Sequence, residues 1–88
     1  MIVIKIKMKN GCEYSNELLE IDQIYIDGMG WYKKETLYDY VKSTPNSILV
    51  KSIYGPYVVP AISSKGEKYV KSSPNNTKLD NLLKLPRE

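Results

Sequence analysis

Apolar and polar residues alternate at the start of the chain. Ile2, Ile4, Ile6 and Met8 are interleaved with Lys5, Lys7 and Lys9, the period-two pattern of a strand with one buried face. Asn10-Gly11 tolerates positive φ and marks a tight turn. A second strand is expected over Leu19–Ile26, but its phase slips. Leu19 and Ile21 fit one face and Ile24 and Ile26 the other, so a bulge is expected near Asp22-Gln23. Asp27-Gly28-Met29-Gly30 reads as a flexible connection. Its glycines could admit a ligand to the backbone, but no GxGxxG or Walker pattern accompanies them, and an ordinary loop is the simpler reading.

From Lys33 to Ser43 the period becomes helical. Leu37, Tyr40 and Val41 at i, i+3 and i+4 give one apolar stripe, and Glu35 lies near the positive helix start. Pro45 ends the helix by Thr44. No second helix is available to form a helix-turn-helix pair. Three strands should follow. Ile48–Tyr54 ends at Gly55-Pro56, and Tyr57–Ile62 carries Pro60, which places it at an edge or at a bulge. Lys68–Ser72 follows a Ser64-Lys65-Gly66-Glu67 hairpin turn. Pro74-Asn75-Asn76 is turn chemistry, after which Thr77 or Asp80 can cap a helical turn through Leu83. Leu79, Leu82, Leu83 and Leu85 are expected to plug an open end of the sheet. The expected architecture is one small, mainly antiparallel α+β domain over residues 1–88, with order β-β-α-β-β-β and a C-terminal turn.

Size and composition narrow the function classes. A chain of 88 residues buries only about two thirds of its unfolded surface, so its core is thin and self-association would stabilise it. No apolar run approaches the roughly 20 residues that span a bilayer, and the N-terminus is strand-like and unlike a signal core. The expected location is the cytoplasm, with no membrane partner. Cys12 is the only cysteine and histidine is absent, which excludes an internal disulfide, a Ser-His-Asp or Cys-His arrangement and a closed structural zinc site. No carboxylates fall at a recognisable magnesium or calcium loop spacing. The chain reads as a protein without a cofactor and without catalysis.

Charge is unevenly spread. Residues 1–44 carry a net −1 and residues 45–88 a net +4, together the formal +3. Glu13, Glu17, Glu20, Asp22 and Asp27 form an acidic stretch with no base among them. Such a dipolar molecule can attract an anion at one end or line up with its own copies, although solvated surface charge also accounts for it. Eight tyrosines and Trp31 stand where phenylalanine is absent, and side chains of that kind suit interfaces and ligand pockets. In a small domain they also serve as aromatics with one wet end. The candidates are Trp31 and Tyr32, beside the glycines, and Tyr54 and Tyr57, which flank Gly55-Pro56. Lys68 and Lys71, with the hydroxyls of Ser72, Ser73 and Thr77, form a C-terminal set able to hold phosphate. The modest net charge and the single arginine, Arg87, argue against nucleic acid as the partner.

The C-terminal sequence Tyr69-Val70-Lys71-Ser72, a Pro-Asn-Asn turn, Asp80-Asn81-Leu82-Leu83 and Leu85-Pro86 resembles the domain of unknown function family numbered 3892. These are small proteins of bacteria and their phages. The resemblance is strongest over residues 66–86 and weaker over Trp31–Val41. It implies a fold and no activity. Asp80 and Asn81 are its specific pair, and the structural role open to them is to cap a turn and bond backbone across a tight corner. The expected function is that of a small homo-oligomeric protein that sequesters an anionic nucleotide-derived signal and so counters host immune signalling. The analogy is with phage sponges of similar size, and no matched motif supports it. The alternative is a protein–protein inhibitor that covers a host enzyme.

Overall fold

The computed structural model describes residues 1–73 and 79–88. Six strands form one sheet in the order β3-β2-β1-β4-β5-β6. They are β1 (Ile2–Met8), β2 (Ile21–Ile26), β3 (Gly30–Lys33), β4 (Leu49–Val50), β5 (Tyr57–Ile62) and β6 (Lys68–Ser73). The helix α1 (Lys34–Ser43) lies between β3 and β4, and short 3-10 turns occupy Leu18–Glu20 and Asn81–Lys84. Among the six strands every pairing is antiparallel except β1 with β4, so the fold is α+β as expected. Among the described residues no helix is long and apolar enough to cross a membrane.

The order is β-β-β-α-β-β-β, one strand more than the sequence pattern predicts. Asp27-Gly28-Met29 is a tight hairpin turn: Gly28 takes φ +79° and the Met29 amide donates to the Ile26 carbonyl at 2.9 Å. Trp31, Tyr32 and Lys33 then alternate faces as a strand does, and four residues were too few to show a period beside two glycines. The expected strand Ile48–Tyr54 is likewise cut to Leu49–Val50. Lys51 turns the chain with φ +74°, while the Ser52 amide donates to the Val50 carbonyl and the Gly55 amide to the Ser52 carbonyl, both at 2.9 Å.

Bulges set the phase of the first hairpin. Lys7 faces Gln23 and Met8 faces Ile21, so Asp22 is the extra residue, at the site where the slipped phase requires one. A second irregularity between Val3 and Lys5 makes Ile4 extra on β1. Val3, Ile6 and Met8 therefore enter the core, whereas Ile2 and Ile4, expected on the same face, stay half-buried.

On α1 the buried positions are Lys34, Leu37, Tyr38 and Val41, a complete i, i+3, i+4, i+7 stripe. Tyr40, expected in that stripe, is 41% exposed. Pro60 proves compatible with an interior strand because β4 reaches only as far as Tyr57. The Val58 amide donates to Ile48, so the Pro60 nitrogen, two residues on, faces the side that β4 has already left. Leu82, Leu83 and Leu85 are buried and Leu79 packs against them, which makes the C-terminal turn the expected plug. Pro86–Glu88 then runs beside β1, with the Ile6 amide donating to Pro86 and the Glu88 amide to Ile6.

Candidate functional site

Asp80 is 5% exposed and caps the Asn81–Lys84 turn. One carboxylate oxygen accepts from the Leu82 amide at 2.9 Å and the other from the Ser72 amide at 3.1 Å, while the Asn81 carboxamide donates to Ser72 Oγ at 3.1 Å. A buried carboxylate is thus satisfied by backbone donors on two segments, which fixes the C-terminal turn against β6. This is the structural role open to the pair from sequence, and it occupies Ser72, whose residue exposure is 1%.

The remaining candidates separate. Trp31 lies on the sheet face away from α1, and Tyr32 on the opposite face, where it lines a shallow apolar dent of about 90 Å³ with Met29 and Tyr40. Tyr54 is 91% exposed on the Ser52–Gly55 turn. Tyr57 pairs with Ser73, and Lys71 pairs with Val59 two residues along, so Tyr57, Lys71 and Ser73 share one face of β5–β6. Lys68 points the other way. Its ammonium is 3.0 Å from Asp39 and 5.3 Å from the Tyr38 ring, and the Asp39 carboxylate pushes its pKa up. Thr77 and the Pro74-Asn75-Asn76 turn lie outside the described residues.

A cleft of about 510 Å³ opens where β4 leaves β1 and before the C-terminal segment joins it. Its apolar surface comes from Ile4, Pro56 and Pro86, over a base formed by the buried Val50 and Leu85. Lys51, Lys84 and Asn81 supply the polar groups, and both lysines are exposed. The bulge turns Ile4 toward this gap. Lys51 holds its left-handed conformation through its own amide, which donates to the Val3 carbonyl at 2.8 Å. That backbone costs a residue with a Cβ roughly 1–2 kcal/mol, and such strain draws attention to what the side chain does. Cleft volume and lining fall in the range of small-molecule sites: mostly apolar, with a few convergent polar groups. Of these residues the sequence pattern singled out Asn81, Leu85 and Pro86, none of them as part of a cleft.

Two charged clusters elsewhere are structural. Lys34, 2% exposed, places its ammonium 3.3 Å from both Glu35 and Glu67, and Lys9 reaches Glu67 at 3.6 Å, tying the end of β1 and the start of α1 to the β5–β6 hairpin. Lys34 above all holds the Glu67 carboxyl below its ordinary range. The Cys12 thiol donates to Glu20 at 2.7 Å, and that carboxylate pushes its pKa up, the opposite of an activated thiolate. Among the described residues no group of three His, Cys, Asp or Glu side chains is placed to hold a metal ion.

Nothing among curated proteins or solved structures matches this chain. The model of the family described as protein of unknown function DUF3892 matches residues 2–86, a span that takes in all six strands, the helix, the Asp80 cap and every residue of the cleft, and the chain belongs to that family.

Proposed function

We propose that this protein is a non-catalytic binding protein that sequesters an anionic, nucleotide-derived ligand, and that the cleft beside β4 is where it does so. The observation that carries the reading is the cleft's chemistry: an apolar floor between two lysines and a carboxamide. A base or sugar face can cover Ile4, Pro56 and Pro86, the Asn81 amide can read a ring edge, and Lys51 and Lys84 can neutralise phosphate. Charge-assisted hydrogen bonds of that kind contribute about 1.5–3 kcal/mol each. The Tyr57, Lys71 and Ser73 face offers a less enclosed arrangement. In this reading the protein acts in the cytoplasm of a bacterial or phage-infected cell, as a homo-oligomer, and withdraws an immune signal from the host.

The test combines native mass spectrometry of the purified protein with thermal shifts against cyclic dinucleotides, cyclic trinucleotides and ADP-ribose derivatives. A bound ligand raises the melting temperature by mass action. Lys51→Gly is the informative variant, because glycine keeps the left-handed backbone without steric cost while removing the ammonium. It should lose the ligand shift and melt no lower than the parent. No retained small molecule, together with no shift from any of these nucleotides, would remove the proposal.

One observation favours the second reading, a protein–protein inhibitor. The turn beside the cleft exposes Ile53 by 65% and Tyr54 by 91%, a pair of large side chains suited to anchoring in a partner's pocket. Replacing both with serine should abolish capture of a host enzyme in that case and leave nucleotide shifts intact.

A further inference from the structure

The β1–β3 half of the sheet carries a second ordered surface, on the face away from α1. Strand register places Lys5, Tyr25 and Trp31 in one row across three strands, and Lys7, Gln23 and Lys33 in the row beside it. One row is mostly aromatic and the other mostly cationic. Tyr25 and Trp31 meet edge to face, with centroids 5.3 Å apart. The Lys5 ammonium lies 4.5 Å from the Tyr25 ring and the Lys7 ammonium 5.3 Å from the Trp31 ring. The acid paired on this face is Glu88, 2.9 Å from Lys5.

We propose that this face is a platform for single-stranded nucleic acid, with bases stacking on Trp31 and Tyr25 and the backbone following Lys5, Lys7 and Lys33. Charge and shape together favour such a ligand. Adjacent strands are about 4.8 Å apart, so three strands span the reach of about two nucleotides, and each aromatic is flanked by a cation that can pass from ring to phosphate. A ring with an ammonium over it is already arranged for a π-stacking, phosphate-bearing ligand, because both partners of the contact are ones the ligand can replace. A duplex offers no exposed base faces to such a surface. The low net charge and single arginine remain consistent with short, weak, sequence-tolerant binding, which depends on stacking and a few phosphates and needs no guanine-reading forks. This inference stands apart from the cleft and does not depend on it.

Trp31 is the only tryptophan, so its fluorescence reports on this face alone. Titration of the full chain with a short oligodeoxythymidylate at low salt should quench it saturably, and a hairpin duplex should not. The logarithm of affinity should fall with the logarithm of salt with a slope of about −1.4 to −2, the value for two or three phosphates on a single strand. Lys7→Ala and Lys33→Ala should each reduce the slope by about 0.7. Trp31→Ala, followed by anisotropy of a labelled strand, should weaken binding about tenfold or more at every salt concentration. Lys65→Ala, on the β5–β6 hairpin turn, is the control for diffuse charge and should change nothing. Absence of saturable quenching by the single strand, equal quenching by the duplex, or a loss in Lys65→Ala matching that in Lys7→Ala would each overturn the platform.

Discussion

The cleft beside β4 and the open face of β1–β3 are built by different means. The cleft is a product of backbone constraint. A bulge at Ile4, a left-handed Lys51, a turn closed at Gly55 and the Asp80 cap hold its walls, and the side chains project from positions that have little freedom. The open face is a product of register. Its backbone is ordinary sheet, and its character comes from which side chains the pairing brings abreast. A constrained backbone makes a preorganised site that is costly to alter, whereas a register-built face can exchange side chains at little cost to the fold.

Substitutions should separate the two regions by size of effect. Gly55→Ala comes first, because a Cβ there collides with the Val50 carbonyl. Forcing packed atoms apart should cost about 3 kcal/mol, read as a fall in the urea midpoint, and should collapse the cleft wall. A variant that melts like the parent would mean the wall is not held at this contact.

Asp80→Ala should follow at about 2–3 kcal/mol, since it leaves the buried Ser72 and Leu82 amides without their carboxylate. Asn81→Ala removes one contact to a hydroxyl and should cost about 1 kcal/mol. Equal costs for the two would break the distinction between a cap and a cleft-lining amide.

On the open face, Trp31→Ala should cost only about 1 kcal/mol, the scale of an aromatic pair with a cation over a half-buried ring. A loss as large as that of Asp80→Ala would show the face to be part of the framework.

Acid should produce the smallest effect, away from both sites. Glu67 and Glu20 have depressed pKa values, Glu67 chiefly through Lys34 and Glu20 chiefly through the Cys12 hydrogen bond. Their stabilisation is therefore present at neutral pH and is lost as pH falls below 4.5, the ordinary glutamate value, toward the folded values. Melting temperatures followed from neutral to acid pH should drop in that window, and Glu67→Gln should flatten the drop.

Much of the framework was legible because it rests on local signals. The helix bounds follow from its period and Pro45, β5 and β6 from alternation between turns, and the Asp22 bulge from a phase that could not otherwise close. The C-terminal leucines read as a plug for the same reason. β3 escaped notice because two glycines mask four alternating residues, and β4 was overextended because β-branched Ile48 and Val50 carry no mark of the left-handed Lys51 that ends the strand. The sites were less legible still. Ile4, Lys51, Asn81 and Lys84 come from three distant stretches, so only tertiary structure gathers them. Lys5 and Lys7 were visible as the polar side of β1, but the bulges decide which aromatic each one meets.

The position of Pro86–Glu88 has a consequence for how the molecule is assembled. The second edge of β1 is covered by residues distant in sequence, Leu49–Val50 along one part and Arg87 along the other. Arg87 anchors that last contact by donating to the carbonyls of Glu13, Ser15 and Leu83. Contacts of such long sequence separation slow folding, and until they form β1 presents an uncovered edge to other nascent chains. The β1–β2–β3 hairpins rest on local contacts, whereas α1 packs chiefly on β5 and β6 and the cleft needs Lys84–Pro86 in place. The walls of the cleft are therefore completed by contacts between residues far apart in sequence.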